Sequence, residues 1–325
     1  MILKYITVSI TGDGDYVSLQ EAIDSLGPEG GRIHIKNGIY YEKIHVRTNN
    51  ITLIGEDPEK TILTFDDYAL KETEEGEKLG TFRSYSFYIG AENFIAKNLT
   101  IQNTAGPGSK AGQAVAVYVD ADRVTFYHCS LKAWQDTLFL SPLPPSPIIP
   151  GSFKGPGKNQ ADLCHRSYFY DCSIQGDVDF IFGGGIAYFD QCKIISNDLN
   201  KDINGYVTAA STPQGQPWGF VFHRCSLVSD CKPNSVYLGR PWRNYAKTAF
   251  ISCDLGAHIC KEGWHNWNKP ESEATVCYEE YASVGAGANS FKRVPWSRQL
   301  SSKEAEAYTV LNVLSGDDGW NPTLL

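Results

Sequence analysis

The feature that most restricts the fold of this chain is a six-residue pattern that occurs five times. The pattern is an aromatic residue, two variable residues, cysteine, one variable residue and an aliphatic residue, and the cysteines lie 43, 20, 33 and 28 residues apart. Each copy predicts two short strands with a bend between them. A constant unit at irregular spacing is typical of a coil whose loops vary in length, and such a coil buries its inward residues only by stacking on the next coil. The copies are FYHCSL (126–131), FYDCSI (169–174), FDQCKI (189–194), FHRCSL (222–227) and FISCDL (250–255), and FIAKNLTI (94–101) is a related segment without cysteine.

We therefore interpret the chain as all-β, a parallel β-helix with the five cysteines stacked inside the tube. Disulfide bonds are the alternative explanation, but the chain has nine cysteines, an odd number, and this thiol content is more typical of a reducing compartment. The hypothesis of a zinc site has even less support, because the sequence has no pair of Cys-x-x-Cys motifs and its seven histidines are scattered. We expect no essential disulfide and no metal.

Both ends of the chain carry helix signals. Ser18 and Glu21 predict a capping box for a short helix over 18–28 that would close one end of the tube. Ser301 and Glu304 predict a second capping box, before a helix that would pack along the outside of the tube.

One segment interrupts the strand pattern. Residues 141–156 contain six prolines, which exclude a regular strand or helix. A linker between two domains is one interpretation, but the same strand pattern lies on both sides. We therefore predict a single domain, 1–325, with an inserted proline-rich loop over 141–163 that leaves the tube and shapes a site.

Four strand-like segments contain polar residues that do not suit a core. Each residue alone has a simple structural explanation: a solvated strand glutamine, a turn aspartate, an ion pair or a surface tryptophan. Together they indicate a site, because segments far apart in sequence become neighbours on successive coils. The residues are Gln113, Gln135, Asp136, Asp177, Asp179, Arg240 and Trp242.

Charge and hydropathy limit the partners. The formal net charge is −8 and is spread along the chain, which argues against nucleic acid or an anionic membrane surface as partner. No stretch approaches the ~20 apolar residues of a membrane span. The N-terminal residues lack the features of a signal peptide, so we expect a cytoplasmic monomer; secretion with a signal that is absent from this sequence is the alternative.

The residue sequences of these motifs, and their order along the chain, resemble those of the pectin methylesterase (pectinesterase) family. The most specific motifs are QDTLF (135–139), GDVDFIFG (176–183) and LGRPW (238–242), and the resemblance covers nearly the whole chain. It implies a right-handed parallel β-helix and an enzyme that hydrolyses the C6 methyl ester of galacturonate units in pectin or its oligomers, without a cofactor. Further matching segments are GIYYEKI (38–44), TLIGED (52–57), TFRS (81–84), NTAGPGSKAGQAVAV (103–117), GWHNW (263–267) and YEEYASVGAGA (278–288).

The resemblance also implies residue roles. Asp179 would attack the ester carbonyl and form an acyl-enzyme, with Arg240 holding it ionised through a lowered pKa. Asp136, with a raised pKa, would be the general acid and base, and Gln113 and Gln135 would stabilise the oxyanion. Asp177 lies outside the VDFIFG core of its motif, so we expect a structural role for it. Trp242, Thr81 and Phe82 would bind sugar.

The chain departs from plant members of the family at Tyr118 and in the proline-rich loop. The loop, together with the lack of signal-peptide features, is similar to bacterial members that act on short fragments. Two other function classes remain open. One is a β-helix lyase or glycoside hydrolase acting on the same polymer, which would use an acidic calcium cluster or a carboxylate pair with a water between them. The other is a catalytically silent carbohydrate-binding β-helix, which would not need all five catalytic positions.

Overall fold

A computed structural model describes residues 4–157 and 165–324, in which 26 strands form three parallel sheets. Within each sheet, neighbouring strands are one coil apart in sequence; for example, Phe126 pairs with Phe169 in parallel register. The chain therefore winds as a parallel β-helix, as predicted. The final part of the predicted inserted loop, 158–163, lies outside the described residues.

Each sheet runs along the length of the tube. The eleven-stranded sheet consists of Lys4–Val8, Gly31–Ile35, Ile51–Gly55, Ile95–Lys97, Val124–Tyr127, Arg166–Tyr170, Ile186–Asp190, Phe220–His223, Lys247–Ile251, Cys277–Tyr281 and Arg298–Gln299. The eight-stranded sheet consists of Gly38–Tyr41, Thr61–Phe65, Thr100–Asn103, Ser130–Lys132, Ser173–Gly176, Lys193–Ser196, Ser226–Ser229 and Asp254–Leu255. The seven-stranded sheet consists of Ile44–Val46, Phe87–Ile89, Val117–Val119, Leu138–Leu140, Val178–Gly183, Gly205–Ala210 and Val236–Gly239.

Helices are few and short. The α-helices are Leu19–Asp24, Gly108–Ala111, Ser302–Ala305 and Val310–Leu314, and the 3₁₀ helices are Thr81–Arg83, Pro270–Ala274, Ser290–Lys292 and Pro322–Leu324. None of the helices in the described ranges is long and apolar enough to cross a membrane.

The repeated pattern forms two ladders inside the tube. Its aromatic residues stack face to face; the rings of Phe189 and Phe222, for example, are 4.5 Å apart at an interplanar angle of 7°. Four of the five repeat cysteines, Cys172, Cys192, Cys225 and Cys253, each donate the thiol hydrogen to the carbonyl of the aromatic residue one coil earlier, at 3.3–3.5 Å. All five repeat cysteines are buried free thiols, as predicted.

The bend in each copy has a defined backbone conformation. The residue before the cysteine has a positive φ in every copy, between 47° and 56°, so the chain turns there in the left-handed region. Such a residue lets a strand of one sheet end and a strand of the next sheet begin with only two residues between them. The five residues are His128, Asp171, Gln191, Arg224 and Ser252.

The N-terminal helix covers one end of the core, as predicted, but ends at Asp24. Ser18 caps it by accepting from the Glu21 backbone N–H at 3.2 Å. The carboxylate that completes the cap belongs to Glu42 rather than Glu21, because it accepts the backbone N–H groups of Leu19 and Gln20. The tertiary partner therefore replaces the local one.

The C-terminal helical region is in two pieces. The predicted capping box of Ser301 and Glu304 is present, but its helix ends at Ala305. Thr309 caps a second helix, Val310–Leu314, and thereby divides the predicted single helix. The second helix packs Val313 and Leu314 on the outer face of the eleven-stranded sheet, which agrees with the predicted outside position.

The outer face of the seven-stranded sheet carries a continuous aromatic row. Tyr88, Tyr118, Phe139, Phe182 and Ala209 are paired in register on five successive strands. These side chains form a second buried cluster, separate from the core inside the tube. This row, hereafter the aromatic floor, is the surface on which the polar residues of the candidate site are built.

The proline-rich loop folds back over the aromatic floor. Between residues 141 and 157 it contains no regular helix or strand, as its prolines predict. Leu143 and Phe153 pack on the floor, and Lys154 forms a 2.6 Å ion pair with Glu77. Gly155 approaches Phe82 so closely that an added Cβ would lie 2.7 Å from the Phe82 carbonyl oxygen.

Candidate active site

The structure brings all eight predicted site residues into one cavity of about 360 Å³ on the aromatic floor. The cavity is open to solvent and is also lined by residues of the proline-rich loop. The predicted residues in its lining are Thr81, Phe82, Gln113, Gln135, Asp136, Asp179, Arg240 and Trp242.

Stacking of coils explains how distant segments meet. The Ala114 N–H, next to Gln113, donates to the Gln135 carbonyl at 3.1 Å, and the Asp136 N–H donates to the Val178 carbonyl at 3.1 Å. Each hydrogen bond links one coil to the next, so the two glutamines and two aspartates fall on three consecutive coils. Arg240 directly follows the strand Val236–Gly239, two coils beyond Asp179.

Arg240 and Asp179 form a bidentate ion pair. The guanidinium Nε and one terminal nitrogen each lie 2.8 Å from a different carboxylate oxygen of Asp179. The guanidinium carbon is 3.8 Å from the ring centre of Tyr206 and 3.7 Å from that of Trp267. The two aromatic residues hold the arginine fork in one orientation, and cation–π attraction adds to the ion pair.

Both cavity aspartates have a left-handed backbone, with φ of 65° at Asp136 and 53° at Asp179. Aspartate tolerates this region better than most residues, but such conformations concentrate at functional sites. At Asp179 the strand also shifts register between Val178 and Ile181, so regular alternation does not hold there. The bend presents the Asp179 carboxylate to the cavity while Phe180 and Ile181 both join the core inside the tube.

The pKa of each cavity carboxyl group is raised, and to a different extent. Burial first, and then the negative charge of Asp179, raise the pKa of Asp136 well above its ordinary value. For Asp179, burial raises the pKa and the hydrogen bonds from Arg240 lower it, with a net increase. Our expectation that Arg240 would bring this pKa below its ordinary value is therefore wrong, because desolvation outweighs the ion pair.

Asp177 does not line the cavity. One carboxylate oxygen accepts the Val178 N–H at 2.5 Å, and the other is buried without a hydrogen-bond partner among residues 4–157 and 165–324. Burial raises its pKa to about 6. These contacts agree with the expectation that Asp177 has no direct part in the chemistry.

Of the two aromatic residues that we expected to bind sugar, Trp242 is more accessible than Phe82. Phe82 is only 3% exposed, because it packs on the aromatic floor and Phe153 of the proline-rich loop packs against it, with ring centres 5.4 Å apart and an 88° interplanar angle. Trp242 remains half-buried and lies nearly parallel to Phe82, 6.3 Å away. Trp242 therefore offers more surface to a sugar than Phe82 does, and Thr81 lies beside them in the lining.

Sequence reasoning missed three aromatic residues of the site. Trp267 ends the GWHNW segment, which was recognised as a motif without a role for this residue. Tyr206 and Phe153 had no usable signal, because one is a strand tyrosine and the other lies in an irregular loop. Only the folded structure shows that Tyr206 packs on Arg240, through the stacking of coils, and that Phe153 packs on Phe82, through the return of the loop.

Metal-ligating side chains do not cluster in this cavity. Across the ranges 4–157 and 165–324, no group of three or more His, Cys, Asp and Glu residues has the geometry to hold a metal ion. The polar groups of the cavity include two carboxylates, two amides and a paired arginine, a set suited to acyl chemistry on a neutral carbonyl.

A parallel β-helix with an open, aromatic-lined groove that holds this polar set defines a carbohydrate-active ester hydrolase of the β-helix class. The pectinesterase family model matches residues 5–142 and 160–317, so the match omits 143–159 of the proline-rich loop. The chain belongs to the pectinesterase family.

Individual relatives agree with this assignment. Pectinesterase 31 of Arabidopsis thaliana is 38% identical over 93% of this chain and 89% of its own length. Pectinesterase 2 of Citrus sinensis is 32% identical over 98% of this chain, which spans only 58% of that relative. Among solved structures, pectin methylesterase PemA from Erwinia chrysanthemi has a TM-score of 0.80 and 30% identity, covering 99% of each chain. A mutant pectin methylesterase in complex with a hexasaccharide has a TM-score of 0.81 and 30% identity over the full length of both chains.

These likenesses confirm the predicted family, the right-handed parallel β-helix and the assignment as a pectinesterase enzyme.

Proposed function

We propose that this chain hydrolyses the C6 methyl ester of galacturonate units in homogalacturonan or its oligomers through an acyl-enzyme on Asp179. The observation that carries this mechanism is the bidentate Arg240–Asp179 pair in one cavity with Asp136, whose pKa is raised well above the ordinary value. Two carboxyl groups with different proton affinities can act as nucleophile and acid in the same pH range.

In the first step, a carboxylate oxygen of Asp179 attacks the ester carbonyl carbon. The bond from that carbon to the methoxy oxygen then breaks, and Asp136 donates its proton to the departing methoxy group, which leaves as methanol. Arg240 favours the ionised form of Asp179 against desolvation and orients it, because its fork binds both carboxylate oxygens. The product of this step is a mixed anhydride between Asp179 and the sugar acid.

In the second step, Asp136, now ionised, takes a proton from water as the water attacks the anhydride. The anhydride bond breaks, the galacturonate product leaves, and Asp136 is again protonated. Each step passes through an oxyanion, and the amide groups of Gln113 and Gln135 in the cavity lining supply the N–H donors for it. Gly108 lies against Gln135, where an added Cβ would be 2.4 Å from the amide oxygen, so close packing limits the movement of that side chain.

The groove binds sugar rings through apolar contact and leaves the ester carbonyl facing the polar residues. The exposed part of Trp242 stacks on the apolar face of a ring, and Thr81 contacts the neighbouring unit. We extend the proposal to a monomer that acts in the cytoplasm on neutral or weakly charged oligomers, without nucleic acid, a membrane surface or a cofactor as partner. The net charge of −8 supports this preference, because it repels a largely de-esterified polymer.

The products distinguish this mechanism from those of other β-helix enzymes. The enzyme is incubated with a methyl-esterified oligogalacturonate, and methanol, new reducing ends and unsaturated products are measured in the same samples. We expect methanol alone, together with a quenched enzyme species whose mass increase equals the acyl group and maps to the peptide that contains Asp179. New reducing ends indicate a glycoside hydrolase, ultraviolet absorbance indicates a lyase, and an acyl group on another residue contradicts the nucleophile assignment.

A further inference from the structure

Lys269 is a half-buried lysine that follows the GWHNW segment by two positions. Its ammonium group donates to the carbonyls of Pro241 at 3.0 Å and Trp242 at 3.2 Å. These carbonyls belong to the two residues directly after Arg240. The Lys269 side chain is therefore bound to the backbone that carries both the arginine of the ion pair and the tryptophan of the cavity.

Lys269 also contacts the aromatic cover of Arg240. Its ammonium nitrogen lies 4.6 Å from the ring centre of Trp267, and the guanidinium carbon of Arg240 lies 3.7 Å from the same ring centre. Both cations are within the range of cation–π attraction to this ring. Lys269 thus reaches Arg240 by two routes, through the backbone that follows it and through the ring that covers it.

The backbone of Lys269 is held independently of its side chain. Its N–H donates to the carbonyl of Asn266 at 3.0 Å, and its carbonyl accepts from the backbone N–H of Ser272 at 2.9 Å and from the Ser272 hydroxyl at 2.7 Å. Ser272 is itself buried. A long side chain on an anchored backbone can hold a neighbouring segment in place, so Lys269 couples this turn to the segment 240–242.

The charge of Lys269 is placed against resistance. Burial lowers its pKa, and the nearby positive charges of Arg243 and Arg240 lower it further. A neutral amide could donate hydrogen bonds to backbone carbonyls without this repulsion. The use of a cation at this position therefore indicates a function for the charge as well as for the hydrogen bonds.

The charge acts on Asp179. Burial raises the pKa of Asp179, and two cations oppose this increase, Arg240 first and Lys269 second. Burial raises the pKa of each tyrosine nearby, so these groups stay neutral. The titratable and charged groups around Asp179 are Arg240, Lys269, Asp136, Asp177, Tyr206 and Tyr278, and those around the two cations also include Arg243, Glu271 and His265.

We propose that Lys269 is a positioning residue of the active site: its ammonium group holds the segment 240–242 and Trp267 in place, and its charge helps Arg240 to keep Asp179 ionised. The proposal rests on the proposed function, because Asp179 must be ionised to attack the ester. Lys269 does not line the catalytic cavity, so it acts through these residues rather than on the substrate.

Three substitutions separate the hydrogen bonds from the charge. Lys269→Met removes both, Lys269→Gln keeps an amide donor without the charge, and Lys269→Arg keeps both. Methanol release from a fully esterified trimer is measured across pH. In the Met and Gln variants we expect the acid limb to move to higher pH, with kcat/KM about threefold lower on that limb, less than the tenfold or more for a cation in direct contact.

The hydrogen bonds should appear in kcat at the pH optimum. We expect a fall of about tenfold in Lys269→Met and a smaller fall in Lys269→Gln, because a displacement of ~1 Å in a catalytic group can cost ~10²-fold. Lys269→Arg should restore the acid limb and most of kcat. Lys261→Met is the matched control, since it removes an exposed lysine outside the cavity lining, and it should change neither quantity.

An acid limb that stays in place in Lys269→Gln overturns the proposal, and so does an equal shift in Lys261→Met. Lys269→Gln decides the result even where Lys269→Met does not fold, which circular dichroism shows. A shift that Lys269→Arg does not reverse also overturns the proposal, because the charge would then not be its cause.

Failure of the proposed function gives a different result. If the wild type releases no methanol, the esterase mechanism is wrong, but the pKa of Asp179 can still be titrated directly. Carbon-13 NMR of protein labelled at the aspartate carboxyl carbons provides this measurement, with the Asp179 signal assigned by its loss in Asp179→Asn. We expect a higher pKa for Asp179 in Lys269→Gln than in the wild type, and equal values overturn the proposal.

Discussion

Arg240 with Asp179 in the cleft and Arg293 with Glu280 near the C-terminal edge of the eleven-stranded sheet are two bidentate ion pairs of the same kind. Arg293 Nε and a terminal nitrogen lie 2.8 and 2.9 Å from the two carboxylate oxygens of Glu280. Its other N–H groups donate to the backbone carbonyls of Cys260, Lys261 and Gly287. Every donor direction of this guanidinium is therefore used by the fold.

The cleft pair is less completely enclosed. Of the N–H groups of Arg240, two reach acceptors within the described ranges 4–157 and 165–324, and both acceptors are on Asp179. The Arg240 side chain is 15% exposed and the Arg293 side chain 3%. A pair surrounded by backbone acceptors is suited to holding structure, whereas a pair covered by aromatic faces and open to a cavity can respond to a substrate. Substitutions in the two pairs should therefore have different effects on activity and stability.

The largest expected effect is on the cleft pair. Asp179→Asn keeps the shape of the side chain but cannot form the acyl-enzyme, so kcat for methanol release should fall by at least ~10⁴-fold, as when a nucleophile is removed elsewhere. Circular dichroism should show an unchanged fold. More than about one hundredth of the wild-type kcat would exclude Asp179 as the nucleophile.

The corresponding acid-to-amide substitution in the Arg293–Glu280 pair should lower stability and leave activity nearly unchanged. Glu280→Gln leaves Arg293 buried without its counter-ion, so the free energy of unfolding should fall by about 3 kcal/mol, the usual cost of breaking a buried pair. Urea unfolding measures this loss, and kcat of the folded enzyme should stay within about twofold. A large loss of kcat with unchanged stability would show that this pair is not purely structural.

The sequence predicted much of this architecture because the repeat is local. The aromatic, cysteine and aliphatic residues of each six-residue pattern are the residues that point into the tube. The stacked phenylalanine rings from Phe126 to Phe250 are therefore predictable from the pattern. The eight site residues that the motif resemblance implied all line the cavity. Both signals depend on short segments with fixed internal spacing.

Contacts between coils were not predictable, because loop lengths decide which residues meet. Nothing near Ser18 indicates that Glu42 completes its cap, and nothing near Phe82 indicates that Phe153 covers it. The left-handed backbone at Asp136 and Asp179 is also absent from any local pattern. The net increase in the pKa of Asp179 depends on burial, which the surrounding coils create.

A smaller effect is expected from the amides that complete the cleft. Gln113→Ala and Gln135→Ala each remove a donor that acts mainly on the oxyanion, so kcat should fall by ~10²-fold with little change in KM. Steady-state methanol release on a fully esterified trimer gives both constants. A raised KM with unchanged kcat in either variant would assign that glutamine to substrate binding alone.

The smallest expected effect is a shift in the pH profile. The mechanism needs Asp179 ionised and Asp136 protonated, so kcat/KM should rise as pH passes upward through the pKa of Asp179 and fall above the pKa of Asp136. Arg240→Lys replaces the two-point fork with a single charge, which weakens the interaction that opposes desolvation of Asp179. The pKa of Asp179 should then increase and the acid limb should move to higher pH by about one unit, or about tenfold in rate on that limb.

A fully esterified trimer is the substrate, because it has no carboxylate of its own to titrate. Arg293→Lys is the matched control and should leave both limbs in place, since Glu280 has no part in the chemistry. An acid limb that stays in place or moves to lower pH in Arg240→Lys would mean that Arg240 does not set the ionisation of Asp179.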